Sequence, residues 1–310
     1  MDRRTFLKSV ALASIATTVD FAGMRKLMAQ GTGTVATGTD LVAVMGGEPE
    51  EMLDKMLAEY GGIGTFVKRG NKVVIKPNIG WNKTPQLAAN TNPDLVGAMV
   101  KRCISAGASE VLVFDHTCDE WTQCYRNSGI QAAVTAAGGK MVPGNDDSYY
   151  VAVPLPQGVK LKNTKVHKAI LECDVWFNMP VLKSHDGAKM SCAMKNYMGI
   201  VSDRRIFHDT DLQQCIADMV TYSKKPALHI VDAYRGLLKN GPQGRSVNDV
   251  VTIKALLASK DPVAVDTAAA GLFNQAVPLS LDAVSHIANG EKLRLGTTNL
   301  ESINVKRIRL

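Results

Sequence analysis

The sequence predicts an α/β fold, a mostly parallel central sheet flanked by helices, set behind an N-terminal signal segment. Three observations point there. Short apolar or β-branched runs alternate with stretches of helical period from Leu41 to the C-terminus. Several of those runs stop abruptly at Pro, Asn or Asp. The chain is also 45% hydrophobic, enough to bury a substantial core in a body of this length.

Each element has a local reason. Leu41 to Met45 is a short apolar strand, and Pro49 opens an amphipathic helix running through Tyr60, where Gly61, Gly62 and Gly64 end it. KVVIK, Lys72 to Lys76, is a β-branched strand closed by Pro77 and Asn78. Thr91-Asn92-Pro93-Asp94 starts a helix, LVGAMVKRCISAG, with a glycine stop at Gly107. Val111 to Phe114 is a buried strand ending in Asp115, and a helix follows near Gly129 to Ala137. Val175 to Met179 is a strand stopped by Pro180; Asp211 to Tyr222 is helical; Ala227 to Val231 is a strand ending at Asp232. Val251 to Ala258 is a last strand, and Asp261 caps a helix running to Phe273. Asp266 lies inside that helix on a small, apolar sequence, so its carboxylate is either paired structurally or part of a site.

The N-terminus, MDRRTFLKSVALASIATTV, has a basic start, a short apolar core and small residues after it. The core is too short for a bilayer, which takes roughly 20 apolar residues. This is the pattern of a signal peptide, and Arg3-Arg4 followed by Phe6-Leu7-Lys8 narrows it to the twin-arginine type. Residues 1–29 are therefore expected to be a signal peptide cleaved near Ala29, residues 30–40 a linker of small residues, and residues 41–310 a single α/β domain. Such an address implies the twin-arginine translocase as a partner, export to the periplasm, and folding before transport, which favours a cofactor without showing one.

Composition excludes several classes. Residues 1–29 hold five basic and two acidic side chains, so removing them takes the formal +7 to about +4. That mild, dispersed charge argues against a nucleic-acid partner, and no later segment reads as a stable membrane span. The six cysteines, Cys103, Cys118, Cys124, Cys173, Cys192 and Cys215, include no C-x-x-C pair, so neither a zinc ribbon nor a cluster site is encoded locally. Cys118 and Cys124, six apart, permit a disulfide in an oxidising compartment, but spacing does not establish one. There is no G-x-S-x-G elbow, P-loop or dinucleotide fingerprint.

What stands out is the polar chemistry at strand ends: Lys76 and Asn78, Asp115, Lys183 and His185, Asp232. In open α/β sheets ligands bind where these ends converge, although strand ends are also polar simply because they leave the core. The densest stretch is PVLKSHDGAKMSCAMKNYMG, residues 180–199. A helix from Asp186 to Met198 would put Lys189, Cys192 and Asn196 on one face and Met190, Met194 and Met198 on a buried stripe. Lysine ammonium groups with an asparagine amide suit a phosphate or carboxylate; a solvated helix face is the other reading. Among the histidines, His116, His185 and His208 sit beside charged residues, whereas His167, His229 and His286 look structural.

The order KVVIKPN, VLVFDH, NMPVLKSH, MKNYMG, HIVDAYRG with a GPQG loop, then SKDPVAVDTAAA, resembles the domain-of-unknown-function family 362, over the body from about Leu41 onward. The resemblance implies an α/β fold and one shared site, carried by Lys76, Asn78, Asp115, Lys183, His185, Lys195, Asn196, His208, Asp232, Asp261 and Asp266. Family members with an added ferredoxin-type segment carry clustered cysteines, which this chain lacks, so an iron–sulfur cluster ranks below a divalent metal and the cofactor stays unknown.

Two functional readings follow. In the first, an exported enzyme acts on a small anionic or phosphorylated molecule: Lys76, Lys183 and Lys195 hold it, Asn78 and Asn196 orient it, His185 or Asp115 moves a proton, and a metal sits on Asp115, His208, Asp232 and Asp266. In the second, the protein is a non-catalytic periplasmic ligand- or metal-binding protein, or an accessory to a redox enzyme.

Overall fold

The computed structural model of the protein describes residues 39–310. The expected signal peptide, and all of the linker but its last two residues, lie outside the described residues.

The chain opens with β1 (Leu41–Met45), α1 (Pro49–Glu59), β2 (Lys72–Pro77), α2 (Pro93–Ser105), β3 (Glu110–Val113), α3 (Trp121–Asn127), α4 (Ile130–Ala136) and β4 (Lys140–Met141). A hairpin follows, β5 (Tyr150–Pro154) with β6 (Asn163–His167), then α5 (Lys168–Glu172), β7 (Val175–Met179), β8 (Val181–His185), β9 (Lys189–Ser191) and α6 (Ala193–Asn196). The last third holds α7 (Arg205–Thr210), α8 (Leu212–Val220), β10 (Leu228–Leu237), β11 (Val250–Ser259), α9 (Pro262–Ala276), α10 (Ser285–Lys292) and β12 (Val305–Arg309). The main sheet runs β12-β1-β11-β10-β7-β2-β3-β4, with β8 beside β10 and β9 beside β8. Only β11 and β9 run against the rest. The predicted α/β class, with a mostly parallel sheet covered by helices, is the fold observed.

Two apolar layers explain why the sheet's strands carry so few polar residues. Val73 and Ile75 of β2 face one layer, packed with Met52, Leu53, Met56 and Leu57 of α1 and with Val96 and Met99 of α2. Val74 points the other way, into a layer that includes Ile216 and Met219 of α8 and Val265 and Leu272 of α9. Lys76, two residues after Val74, shares that second face. Helix starts follow their capping chemistry: Asn92 accepts from Asp94 N at 3.0 Å ahead of Pro93, and Asp261 accepts from Val263 N and Ala264 N at 2.8 Å each ahead of Pro262.

The expected helix from Asp186 to Met198 is not formed. Gly187 and Lys189 (φ +64°) turn the chain into a tight β8–β9 hairpin, pairing Lys183 with Ser191 and His185 with Lys189. Helix α6 begins only at Ala193, so Lys189, Cys192 and Asn196 share no face. Met190, Met194 and Met198 are nevertheless all buried, through three different backbone conformations rather than one stripe. Cys118 and Cys124 are both free thiols, the first exposed and the second buried.

Candidate functional site

A cavity of about 490 Å³ opens at the carboxyl ends of β2, β3 and β8. Three local breaks build it. Pro77 ends β2 and releases Asn78; β3 gives out before Asp115 and His116; Pro180 interrupts the chain between β7 and β8 and brings Lys183 and His185 to the rim. Helix α6 and the turn after it supply Lys195, Asn196 and Gly199, the following loop supplies Arg204, and α7 supplies Arg205 and His208.

Of the residues expected from the sequence, Lys76, Asn78, Asp115, Lys183, His185, Lys195, Asn196 and His208 line this one cavity. Asp232, Asp261 and Asp266 do not; Asp261 caps α9. Asp232 is buried and accepts from Asn92 N at 2.7 Å and Tyr234 N at 3.0 Å, holding the start of α2. Asp266 is also buried and accepts from Ala193 N at 2.7 Å and Met194 N at 3.0 Å, fixing the start of α6 from underneath. The expected metal set Asp115, His208, Asp232 and Asp266 is therefore not a set. Among the described residues no group of three or more His, Cys, Asp or Glu side chains is arranged to hold a metal ion. The adjoining lysines and arginines would oppose a dication there.

The floor is a connected polar network. Lys76, fully buried, pairs with Asp115 at 2.9 Å and donates to Asn196 Oδ1 at 2.7 Å. The other Asp115 oxygen accepts from Ile79 N at 2.6 Å. Asn78 donates to the same Asn196 oxygen at 3.2 Å and accepts from Lys183 Nζ at 2.9 Å, while Lys183 also donates to Ala89 O at 2.5 Å. Gly199 closes on this network so tightly that a Cβ there would come within 1.8 Å of Asp115 Oδ1 and 2.3 Å of Lys76 Nζ. Only glycine fits.

Charge in the cavity is unbalanced. Among the described residues, Lys76, Lys183, Lys195, Arg204 and Arg205 line it against a single carboxylate, Asp115, which Lys76 already occupies. Burial is the chief cause that pulls Lys183 down to about 7 and Lys195 to about 8, with neighbouring cations adding to it. Burial likewise pushes His185 down to about 2, assisted by Lys195 and Lys183. His185 is thus a neutral imidazole, and Ala188 N donates to its Nδ1 at 3.2 Å, so the ring hydrogen sits on Nε2. The opposite tautomer holds at His116, which burial and Arg204 also keep neutral: its Nδ1 lies 2.8 Å from Val201 O and donates there, leaving a lone pair on Nε2. His185, expected to move a proton, therefore stands on the donating side. It presents a donor, and His116 presents the acceptor.

Sequence reading missed Arg204, Cys118 and Trp81. Arg204 clamps the loop after β3, donating to His116 O at 2.9 Å, Thr117 O at 2.6 Å and Cys118 Sγ at 3.2 Å. It lies far along the chain from any strand end, and only its place beside His208 in DRRIFHDTD hinted at a role.

Comparison with known proteins places the chain. It is 25% identical over 256 residues to a thylakoid-associated protein of Synechocystis sp., covering 80% of this chain and 76% of that protein. Among solved structures, the lactate racemase apoprotein of Thermoanaerobacterium thermosaccharolyticum aligns over 73% of this chain at 18% identity with a TM-score of 0.45, and this chain spans only 55% of that one. The family model described as "Domain of unknown function (DUF362)" matches residues 73–271, well over half of the sequence, and the chain belongs to that family.

Proposed function

We propose that the protein binds a small anion, a carboxylate or phosphate, in the cavity at the strand ends. The observation that carries this reading is the surplus of cations there: Lys183, Lys195, Arg204 and Arg205 face a space whose one carboxylate is already held by Lys76. Two or three ammonium or guanidinium groups converging on one space are costly to bury without a counter-charge, and a bound anion supplies it. Asn78 and Asn196, locked by the floor network, orient the ligand, and His185 Nε2–H adds a neutral donor. If the ligand reacts in place, His116 Nε2 is the group suited to take a proton, with His185 on the donor side. A metal is not needed for this reading.

The test is calorimetric titration with sulfate, phosphate and small dicarboxylates. The double variant Lys183→Met with Lys195→Met should lose at least about a hundredfold in affinity while unfolding cooperatively like the parent. Unaltered binding would rule the assignment out. Turnover of any bound anion would make the protein an enzyme; tight binding without turnover would make it a carrier.

The N-terminal motif supports a second part of the proposal, export of the folded protein to the periplasm by the twin-arginine route. Replacing Arg3 and Arg4 by Lys should leave the protein in the cytoplasm. Undiminished recovery from the periplasm would refute that route.

A further inference from the structure

A second cavity, of about 1040 Å³, lies at the other end of the sheet, across the segments that precede β10, follow β11 and follow α10. Its lining is of two kinds. Lys225, Lys260, Lys292 and Arg294 supply positive charge and, among the described residues, no carboxylate lines it; Leu171, Val220, Leu293 and Leu295 supply apolar wall. At its inner side are two buried polar groups. Tyr197 is only 1% exposed, and its hydroxyl is buried without a hydrogen-bond partner. Burial raises its pKa far above the ordinary value, so it stays an O–H donor. His229, equally buried, accepts from Asn178 Nδ2 at its Nδ1 at 2.9 Å, which places the ring hydrogen on Nε2. Burial holds this imidazole neutral, down to about 3.

A buried hydroxyl without a partner is costly, and native structures rarely keep one for nothing. The Tyr197 ring lies 6.0 Å from that of His229, a second neutral donor, and four cations line the same cavity. Donors without acceptors, beneath positive charge and beside an apolar wall, describe one kind of occupant. We infer that this second cavity is a separate binding site for a soluble organic anion with an apolar body, its charged group reaching Tyr197 and His229 and its body lying on Leu293 and Leu295. The site shares no lining residue with the strand-end cavity, so it stands or falls independently of the function proposed above.

The probe is 8-anilinonaphthalene-1-sulfonate, titrated by fluorescence and calorimetry into the folded full chain. Saturable binding is expected, and it should survive Lys183→Met with Lys195→Met, which separates it from the first cavity. Lys292→Glu with Arg294→Glu, both exposed positions, should weaken it about tenfold or more. Tyr197→Phe should weaken it by about three- to tenfold through loss of one donor to a charged group. The uncharged N-phenyl-1-naphthylamine should bind at least about tenfold more weakly than the sulfonate. Affinity indifferent to both cavity variants, or equal for the charged and uncharged probes, overturns the inference. Flotation with phosphatidylglycerol vesicles distinguishes a free anion from a lipid headgroup. The protein should stay in solution, and vesicle binding that disappears in the Lys292→Glu, Arg294→Glu variant would move the occupant to a membrane surface and overturn the proposal.

Discussion

Lys183 occupies a position that disfavours its charge: it is 2% exposed, has no carboxylate partner, and donates only to an amide and a carbonyl oxygen. Those two acceptors favour the ammonium form and burial opposes it, which brings its pKa down to about 7. Lys195, at about 8, is in a similar balance. An anion arriving in the cavity tips both towards the charged state, so binding takes up protons wherever the free lysines are partly neutral. The sign is definite. Sulfate, whose own charge is constant above pH 5, should bind most tightly below about pH 7 and lose up to about tenfold per pH unit for each lysine that must regain a proton. Calorimetry near pH 8 in buffers of different ionisation enthalpy should register that uptake. Affinity constant from pH 6 to pH 9 would show that neither lysine is coupled to the ligand. Neutral His185 contributes no such slope, since it remains uncharged across this range.

At the scale of elements, the site depends on helix α6, four residues that could not hold a helical turn alone. Asp266, projecting from the middle of α9, accepts both leading N–H groups of that turn. Burial raises its pKa to about 7, so this is a costly carboxylate to keep, and what it secures is the placement of Lys195 and Asn196. Asp266→Asn keeps the shape but offers one acceptor oxygen for two donors. It should cost about 1–3 kcal/mol of stability and weaken sulfate binding as well, although the residue never reaches the cavity. Chemical denaturation and calorimetry on the same variant separate the two effects; lost stability with unchanged affinity would reduce Asp266 to a packing role. The same element shows where sequence reading stopped. β2, α2 and α9 were legible because β-branched runs, Asn92-Pro93 and Asp261-Pro262 act through neighbours one to four residues away. Five site residues, Lys76, Asn78, Asp115, Lys183 and His185, were legible because strand ends converge; Lys195, Asn196 and His208 were legible only as polar residues in charged stretches. The β8–β9 hairpin was not, since MSCAMKN has helical periodicity and only Gly187, with a lysine in the left-handed region, overrides it. The roles of Asp232 and Asp266 were hidden for a related reason: an acid that caps a distant helix looks, in sequence, like an acid in a site.

Across the whole molecule, the buried titratable groups set the response to acid. Burial holds His185 at about 2 and His229 and His286 at about 3, all below the ordinary value of 6.5. Their folded pKa values are depressed, so the stability they contribute is lost as pH falls below 6.5, where the unfolded chain takes up three protons that the folded chain refuses. Asp232, raised to about 6, and Asp266, raised to about 7, work the other way: the folded chain binds their two protons before the unfolded chain does, which favours folding as pH drops towards 3.8. Between pH 6 and 4 these two sets partly offset, and the five groups together leave about one proton in favour of the unfolded state, a loss of about 1.4 kcal/mol per pH unit. Below pH 3.8 the unfolded aspartates protonate too and their offset vanishes, while the histidines stay mostly neutral in the fold to about pH 3. The loss should then steepen to about 2.5 kcal/mol per pH unit, since His229 and His286 begin to protonate in the fold as the unfolded aspartates do. Guanidinium denaturation from pH 7 to pH 3 at fixed ionic strength should therefore trace a shallow decline that breaks downwards near pH 4. His229→Gln, which keeps an acceptor near Asn178 without a titrating ring, should remove about one proton from the slope on both sides of the break. A straight decline with no break would mean the buried acids and histidines titrate in the fold much as they do in the open chain, and the desolvated interior described for both cavities would have to be wetter than its packing implies.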